Sequence, residues 1–139
     1  MMLKEIMTPE VEVVRPNSTL KEAARKMKDL DVGLIPVCDG DRLCGMLTDR
    51  DITVRSTALG NDPAKTPVEG VMTQEVVYAF EHQDEEAAAS LMEEKQIRRL
   101  IILNRDKRLV GIVSLGDLAT RAAHKSRSAE TLQEVSKPA

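Results

Sequence analysis

The feature that most constrains this chain is a seven-residue motif that occurs twice, as Gly45–Asp51 and as Gly111–Asp117. Each copy consists of glycine, two apolar residues, a hydroxyl residue, two further residues and aspartate. The apolar part is typical of the end of a strand, and the hydroxyl-x-x-Asp part is typical of the capping box that begins a helix. We therefore expect the chain to pass directly from a strand into a helix at Thr48 and again at Ser114.

Two interpretations of this motif are open. In the structural one, Thr48 with Asp51 and Ser114 with Asp117 only cap the two helices. In the functional one, the start of each helix offers unpaired amides and partial positive charge to an anion, and the nearby carboxylate accepts hydrogen bonds from both hydroxyls of a ribose. The second interpretation predicts a nucleotide site. The two are compatible, because a hydroxyl that caps the empty protein can turn to a phosphate when a ligand binds.

The motif lies within a longer repeat that covers most of the chain. Ile6-Met7-Thr8 returns as Val71-Met72-Thr73, and the apolar positions that follow recur at the same offset until one extra residue enters the second copy. A repeat of this period indicates two units of about sixty residues. We predict one domain at residues 1–62, a second at 63–125, and a tail at 126–139 that could add one exposed helix.

Each unit is predicted to follow the order strand, helix, strand, strand, helix. Thr19 and Asp84 are typical helix caps, each followed by apolar side chains on one helical face, and polar turns separate the paired strands. The stretch at residues 60–67 has the composition of a linker. The elements are expected at residues 11–14, 20–30, 34–38, 43–47 and 49–58, and at 75–79, 85–95, 100–103, 109–113 and 115–125. This order predicts an α/β (α+β) fold.

Composition excludes several classes of partner. The chain has 20 basic and 23 acidic residues, and its only Phe and Tyr residues are Tyr78 and Phe80. Nucleic-acid binders usually carry a strong basic patch or an aromatic stacking surface, so no nucleic-acid partner is expected. Because no apolar run is long enough for a membrane span and the first residues do not follow a signal-peptide pattern, we predict a cytoplasmic protein with no membrane partner.

The reactive side chains do not form a recognisable catalytic or metal-binding pattern. Cys38 and Cys44 flank a predicted turn, and we interpret them as packing residues, with a redox role as the alternative. His82 and His124 do not join them in a zinc-binding spacing. Since the motifs also supply no catalytic set, we expect no enzyme, no catalytic residue, no metal site and no obligatory cofactor.

The chain resembles a tandem pair of CBS domains, also called a Bateman module, over about residues 1–125. The resemblance rests on three pairs of stretches that follow one another in the same order in both halves: Ile6-Met7-Thr8-Pro9 with Val71-Met72-Thr73, Gly33–Val37 with Arg98–Ile102, and Gly45–Asp51 with Gly111–Asp117. It implies two pseudo-symmetric repeats, each β-α-β-β-α, packed sheet to sheet around two clefts.

The resemblance also implies a function. It predicts a regulatory, energy-sensing module that binds AMP, ADP or ATP, with NAD and S-adenosylmethionine as further adenosine ligands, and that passes its state to an unidentified regulated protein. It further implies a homodimer, with the two motif helices as candidate contact surfaces. A constitutive scaffold with no ligand is the alternative, and an enzyme that acts on the nucleotide is disfavoured because no catalytic set is present.

Individual roles follow from the same resemblance. Asp51 and Asp117 would hold ribose hydroxyls, and Thr48 and Ser114 would meet the phosphate. Arginine side chains beside the motif suit phosphate oxygens, although a solvated face is the alternative for Arg98 and Arg99. The complete ligand-binding set implied is Thr8, Gly33, Ile35, Pro36, Thr48, Arg50, Asp51, Thr73, Arg98, Arg99, Ser114 and Asp117.

Two further arginines, Arg55 and Arg121, each follow a motif aspartate by four residues. This spacing favours ion pairs along the helix with Asp51 and Asp117, and phosphate contacts are the less favoured alternative.

Overall fold

The computed structural model describes residues 1–121 and 134–135. Its helices are α1 (Leu3–Ile6), α2 (Leu20–Leu30), α3 (Asp49–Arg55), α4 (Glu85–Lys95) and α5 (Leu115–Arg121). Its strands are β1 (Thr8–Pro9), β2 (Leu34–Asp39), β3 (Arg42–Thr48), β4 (Tyr78–Phe80), β5 (Arg99–Leu103) and β6 (Leu109–Ser114). The predicted mixed α/β class is confirmed. The tail predicted at 126–139 and the end of the helix predicted at 115–125 lie outside the described residues, apart from Glu134 and Val135.

The chain forms two compact units whose boundaries differ from those of the sequence repeats. One unit, here called the first-repeat unit, comprises Glu12–Val76. The other, the second-repeat unit, comprises Met1–Val11 together with the described residues from Val77 onwards. The first eleven residues, which were predicted to be part of the first domain, therefore belong to the second-repeat unit.

The second-repeat unit contains a four-stranded sheet in the order β1-β6-β5-β4. β6 runs antiparallel to both β1 and β5, and β4 runs parallel to β5. Leu3 and Ile6 of α1 are completely buried in the core of this unit, where they join residues of α4, β5 and α5. The order β4-α4-β5-β6-α5 confirms the predicted β-α-β-β-α arrangement for this repeat.

The first-repeat unit has the same strand order with weaker outer pairing. Its hairpin of β2 and β3 is flanked by a single parallel bridge from Val14 to Val37 and a single antiparallel bridge from Thr73 to Met46. The strand predicted at 11–14 is therefore wrong except for Val14, because no further residue of this stretch pairs with β2. The strand predicted at 75–79 is also shifted, since β4 begins at Tyr78.

Local capping fixes the two long helices at their predicted bounds. The Thr19 hydroxyl accepts a hydrogen bond from the amide of Glu22 at 3.2 Å, and the Asp84 carboxylate accepts one from the amide of Ala87 at 3.0 Å. Each of these helices has 11 residues. No helix within the described residues is long and apolar enough to cross a membrane.

The stretch predicted as a linker packs against the start of α2. The carbonyl of Thr66 accepts a hydrogen bond from the amide of Leu20, and the carbonyl of Pro63 accepts one from the amide of Lys21, both at 3.0 Å. These amides have no partner within the helix, so the connecting segment satisfies them. A short 3-10 turn, Val68–Gly70, follows and leads to the bridge at Thr73.

Candidate functional site

The two hydroxyl-x-x-Asp motifs adopt the same geometry. The amide of Asp51 donates to Thr48 Oγ1, and the amide of Thr48 donates to Asp51 Oδ2, both at 3.0 Å. In the other unit, the amide of Asp117 donates to Ser114 Oγ at 3.0 Å, and the amide of Ser114 donates to Asp117 Oδ2 at 2.8 Å. Both motifs are thus complete capping boxes, as the structural interpretation predicts.

Capping leaves part of each carboxylate available. Asp51 and Asp117 are half-buried, and each uses Oδ2 for the capping bond. Within the described residues, the Oδ1 atom of neither carboxylate accepts a hydrogen bond. A carboxylate has acceptor capacity on both oxygens, so a ligand hydroxyl can still be bound while the cap is intact.

A threonine lies beside each capping box. The amide of Thr73 donates a hydrogen bond to the carbonyl of Met46 at 2.8 Å, and the amide of Met46 donates one to the carbonyl of Thr73 at 2.9 Å. Thr8 is the partner of Ile112 in the β1–β6 pair. Because bridged residues and residues two apart on a strand point to the same face, Thr73 shares a face with Thr48, and Thr8 shares one with Ser114.

The predicted arginine pair lies in the second-repeat unit, next to its capping box. Arg99 is directly opposite Ser114 in the β5–β6 pair, and the carbonyl of Arg98 accepts a hydrogen bond from the amide of Leu115 at 2.8 Å. Both side chains are exposed. Their sequence equivalents in the first-repeat unit, Gly33 and Leu34, carry no charge.

The remaining predicted residues have different environments. Ile35 is 1% exposed and belongs to the core of the first-repeat unit. Pro36 is buried opposite Met46, so it lies on the face that carries Thr73 and Thr48. Arg50 is exposed on α3, where it lines a shallow depression of about 310 Å³ with Asp49, Thr53 and Val54.

The glycine that begins each motif permits a close approach that the sequence alone did not reveal. A Cβ atom at Gly45 would lie 2.8 Å from both the sulfur of Met72 and the carbonyl oxygen of Thr73. A Cβ atom at Gly111 would lie 2.5 Å from the sulfur of Met7 and 3.0 Å from the carbonyl oxygen of Thr8. The repeated Met-Thr pair and the repeated glycine therefore pack together, and this contact brings each threonine to its capping box.

The ion pairs predicted for Arg55 and Arg121 are wrong. Arg55 Nη1 donates to the carbonyls of Val71 at 3.1 Å and Met72 at 3.3 Å. Arg121 Nη1 donates to the carbonyl of Ile6 at 3.4 Å. Both arginines bind the backbone of the segment that leads to the site threonine, because those carbonyls lie closer to the guanidinium than the capping carboxylate does.

The cysteines support a packing role. Burial, together with neighbouring Cys44 and Asp41, raises the pKa of the Cys38 thiol to about 11. At neutral pH this thiol stays protonated, and the thiol is a much weaker nucleophile than the thiolate. In residues 1–121 and 134–135, no three His, Cys, Asp or Glu side chains are grouped so that they could hold a metal ion.

Two units of related topology, each with a hydroxyl-aspartate capping box beside a bridged threonine, are typical of a protein with tandem CBS domains. The family described as "CBS domain" matches residues 3–56 and 68–124. The chain belongs to this family.

Known proteins support the assignment along most of the chain. The sequence is 46% identical over 134 residues to the CBS domain-containing protein YhcV of Bacillus subtilis, covering 96% of this chain and 94% of that protein. It is 38% identical over 117 residues to hypoxic response protein 1 of Mycobacterium tuberculosis, covering 84% and 81% of the two chains.

Solved structures share the fold. Hypoxic response protein I, solved with two coordinated zinc ions, gives a TM-score of 0.79 at 36% identity and covers 87% of this chain and 98% of its own. CBSX2, solved in complex with AMP, gives a TM-score of 0.73 at 24% identity, and the match covers 95% of this chain and 98% of the CBSX2 chain. The second likeness is one of fold alone.

Proposed function

We propose that this chain is a regulatory sensor that binds adenosine nucleotides through its two hydroxyl-x-x-Asp motifs. The observation that carries the proposal is the half-buried carboxylate pair, Asp51 and Asp117, each held by a capping box while its Oδ1 atom remains available. The AMP complex of CBSX2, a protein of the same fold, supports adenosine nucleotides as the ligand class.

Each group at the sites has a chemical role in this proposal. Asp51 and Asp117 accept hydrogen bonds from the ribose hydroxyls through Oδ1, and charge-assisted bonds of this kind are stronger than neutral ones. The hydroxyls of Thr48 and Ser114 face the phosphate. In the second-repeat unit, Arg99 pairs with Ser114 across the β5–β6 ladder, and in this proposal its guanidinium neutralises phosphate charge.

We propose that a partner protein detects whether the module has bound its ligand. A ligand that binds one conformation better than another shifts the population towards that conformation. The regulated partner is a separate protein, and the active form is a homodimer. No catalytic step is assigned to the chain, and the nucleotide acts as a regulatory ligand such as AMP or ATP.

Calorimetric and thermal-shift titrations with AMP, ADP, ATP, NAD and S-adenosylmethionine test the proposal. A ligand at a hundredfold its dissociation constant should stabilise the native state by about 2.7 kcal/mol, which raises the melting temperature measurably. If none of these ligands releases heat or shifts the melting temperature, the sensor proposal is wrong.

A scaffold that binds no ligand is the second candidate function. It is favoured by the completeness of both capping boxes, because capping alone gives the motif a structural reason. The same titrations separate the two functions. A scaffold would show no response to any adenosine ligand, whereas a sensor responds to at least one.

A further inference from the structure

The two site threonines, Thr73 and Thr8, are held to their strands by few backbone bonds. Thr73 meets β3 through a single bridge to Met46, and β1, which carries Thr8, has only two residues. Strand pairs this short have little stability of their own. The position of each threonine beside its capping box therefore depends on further contacts of the segment that precedes it.

An arginine of α3 or α5 binds each of these segments. Arg55 is the last residue of α3, and its Nη1 atom donates to the carbonyls of Val71 at 3.1 Å and Met72 at 3.3 Å. Those two residues come directly before Thr73. The guanidinium thus fixes the backbone that carries the threonine, and hydrogen bonds from charged donors are stronger than those between neutral groups.

These contacts close a ring in the first-repeat unit. β3 leads into the capping box of Thr48, and α3 runs from that box to Arg55. Arg55 then binds the segment that returns to β3 through the bridge of Thr73. A shift of Thr73 away from the capping box must therefore break or strain one of these links.

The same ring forms in the second-repeat unit from a different part of the chain. Arg121 of α5 donates through Nη1 to the carbonyl of Ile6 at 3.4 Å, and Thr8, two residues later, pairs with β6. Arg121 and Ile6 are 115 positions apart in sequence, whereas Arg55 and Val71 are 16 apart. Proximity along the chain therefore does not explain the contact, and its recurrence indicates a common role.

We infer that Arg55 and Arg121 are positioning residues for ligand binding, which hold Thr73 and Thr8 beside the capping boxes so that the threonine hydroxyls meet the nucleotide. The arginines act through the threonines and not on the phosphate. This inference rests on the proposed function and adds two supporting residues to it. A group that is fixed before the ligand arrives costs less ordering on binding, so loss of the support lowers affinity even when the fold persists.

A double-mutant cycle separates positioning from two other roles, fold stabilisation and direct phosphate binding. In the full chain, calorimetry measures the dissociation constant of the tightest binder among AMP, ADP, ATP, NAD and S-adenosylmethionine. The matched pairs are Arg55→Met with Thr73→Val and Arg121→Met with Thr8→Val, each substitution made alone and together with its partner. Methionine removes the charged donors but keeps an unbranched apolar chain, and valine replaces the hydroxyl by a methyl group.

Several controls accompany the cycle. Arg25→Met removes an exposed guanidinium on α2 and controls for lost charge. Arg55→Met with Thr8→Val is a mismatched pair, because Arg121 binds the segment before Thr8. Melting curves show that each variant is folded at the temperature of the titration, and Arg55→Gln is a second neutral substitution if methionine prevents folding.

We expect the arginine substitution of a matched pair to weaken binding about tenfold, roughly the worth of one hydrogen bond. When the partner threonine is already valine, the same substitution should weaken binding less than about twofold, since its effect passes through a hydroxyl that is absent. Both pairs should behave in this way if two ligand molecules bind, and one pair if one molecule binds. Arg55→Lys should recover part of the affinity lost in Arg55→Met, the mismatched pair should be additive, and Arg25→Met should leave the affinity unchanged.

Unchanged affinity in both arginine variants, with lower melting temperatures, would show that the arginines only stabilise the fold and would overturn the inference. Equal losses with and without the partner threonine would also overturn it, because the arginine would then act independently of the threonine. The inference fails as well if neither Thr73→Val nor Thr8→Val weakens binding. Failure of the proposed function has a different signature, because the native chain would then bind none of the five ligands, and the inference would fail with it.

Discussion

At the scale of single residues, the motif glycines have a steric role. A Cβ atom at Gly45 would lie 2.8 Å from the backbone oxygen of Thr73, and backbone atoms cannot move aside as easily as a side-chain end. We predict that Gly45→Ala destabilises the first-repeat unit by about 1–3 kcal/mol, the usual cost of overpacking. Urea unfolding followed by circular dichroism measures the change.

Gly70→Ala is the matched control for this substitution. A Cβ atom at Gly70 meets nothing within 4 Å, and its backbone is not in the left-handed region. Its effect on the free energy of unfolding should stay within about 0.5 kcal/mol. Equal losses in the two variants would contradict the steric account of Gly45.

The capping aspartates have two roles that a substitution can separate. Asp51→Asn retains an oxygen that can accept the hydrogen bond from the amide of Thr48, so we expect a stability loss of about 1 kcal/mol or less. Ribose binding loses charge-assisted bonds and should weaken by about 1.5–3 kcal/mol, which is roughly tenfold to more than a hundredfold. Calorimetry with an adenosine ligand and thermal melting measure the two effects.

Asp117→Asn provides the comparison in the other unit. If the two variants bind every adenosine ligand as the native chain does while their melting temperatures fall, the carboxylates are caps alone and the site assignment is wrong. If one variant abolishes binding and the other does not, the module has one working site.

At the scale of elements, the structure separates what short-range patterns determine from what distant contacts determine. The bounds of α2 and α4 could be predicted because their caps and apolar faces lie within the helices themselves. α1 and β1 could not, because a four-residue helix and a two-residue strand have little stability of their own. Their backbone bonds reach Gln83 and Ile112, far along the chain.

At the candidate site, too, local contacts could be predicted from the sequence and distant contacts could not. The bonds between Thr48 and Asp51 span three residues, so the sequence predicted them. The bonds of Arg55 to Val71 and Met72 cross to a segment whose position depends on the folded unit, and the sequence predicted a local ion pair instead. Apolar alternation also could not show that Ile35 faces the core, since the faces of a strand are assigned by packing.

The two long helices end in a conformation that favours glycine. Asp31 has φ of 54° and Gln96 has φ of 56°, both in the left-handed region. We predict that Asp31→Gly raises the free energy of unfolding by about 0.5–1 kcal/mol, because glycine adopts this conformation without strain. Gln96→Gly should gain less, since it also removes a side-chain bond to the carbonyl of Glu93. Thermal melting measures both, and a lower melting temperature for Asp31→Gly would contradict the capping account.

At the scale of the whole molecule, exposed apolar side chains bear on assembly. Leu59 is 74% exposed and Val54 is 49% exposed, both on or just after α3, a predicted contact surface. We predict a homodimer that Leu59→Glu weakens at least tenfold, because a buried carboxylate without a partner is strongly unfavourable. Sedimentation equilibrium measures the dissociation constant. Leu30→Glu, at another exposed leucine outside the predicted contact helices, is the control and should leave the dissociation constant nearly unchanged. A native chain that is monomeric at high micromolar concentration would contradict the prediction.

Residues 1–11 contribute to the core of the second-repeat unit, although they lie far from the rest of that unit in sequence. Residues 12–76 form a contiguous unit, whereas the other unit needs Leu3 and Ile6 from the start of the chain, both fully buried in its core. Each of these side chains contributes about 1.5–3 kcal/mol on burial, a large part of the 5–15 kcal/mol typical of a domain. We therefore expect fragment 12–76 to unfold cooperatively by itself and fragment 77–139 to do so only after peptide 1–11 is added, as measured by circular dichroism during urea titration. A peptide with Leu3→Asp and Ile6→Asp is the control and should not restore folding. Cooperative unfolding of 77–139 without any peptide would show that the segment is dispensable.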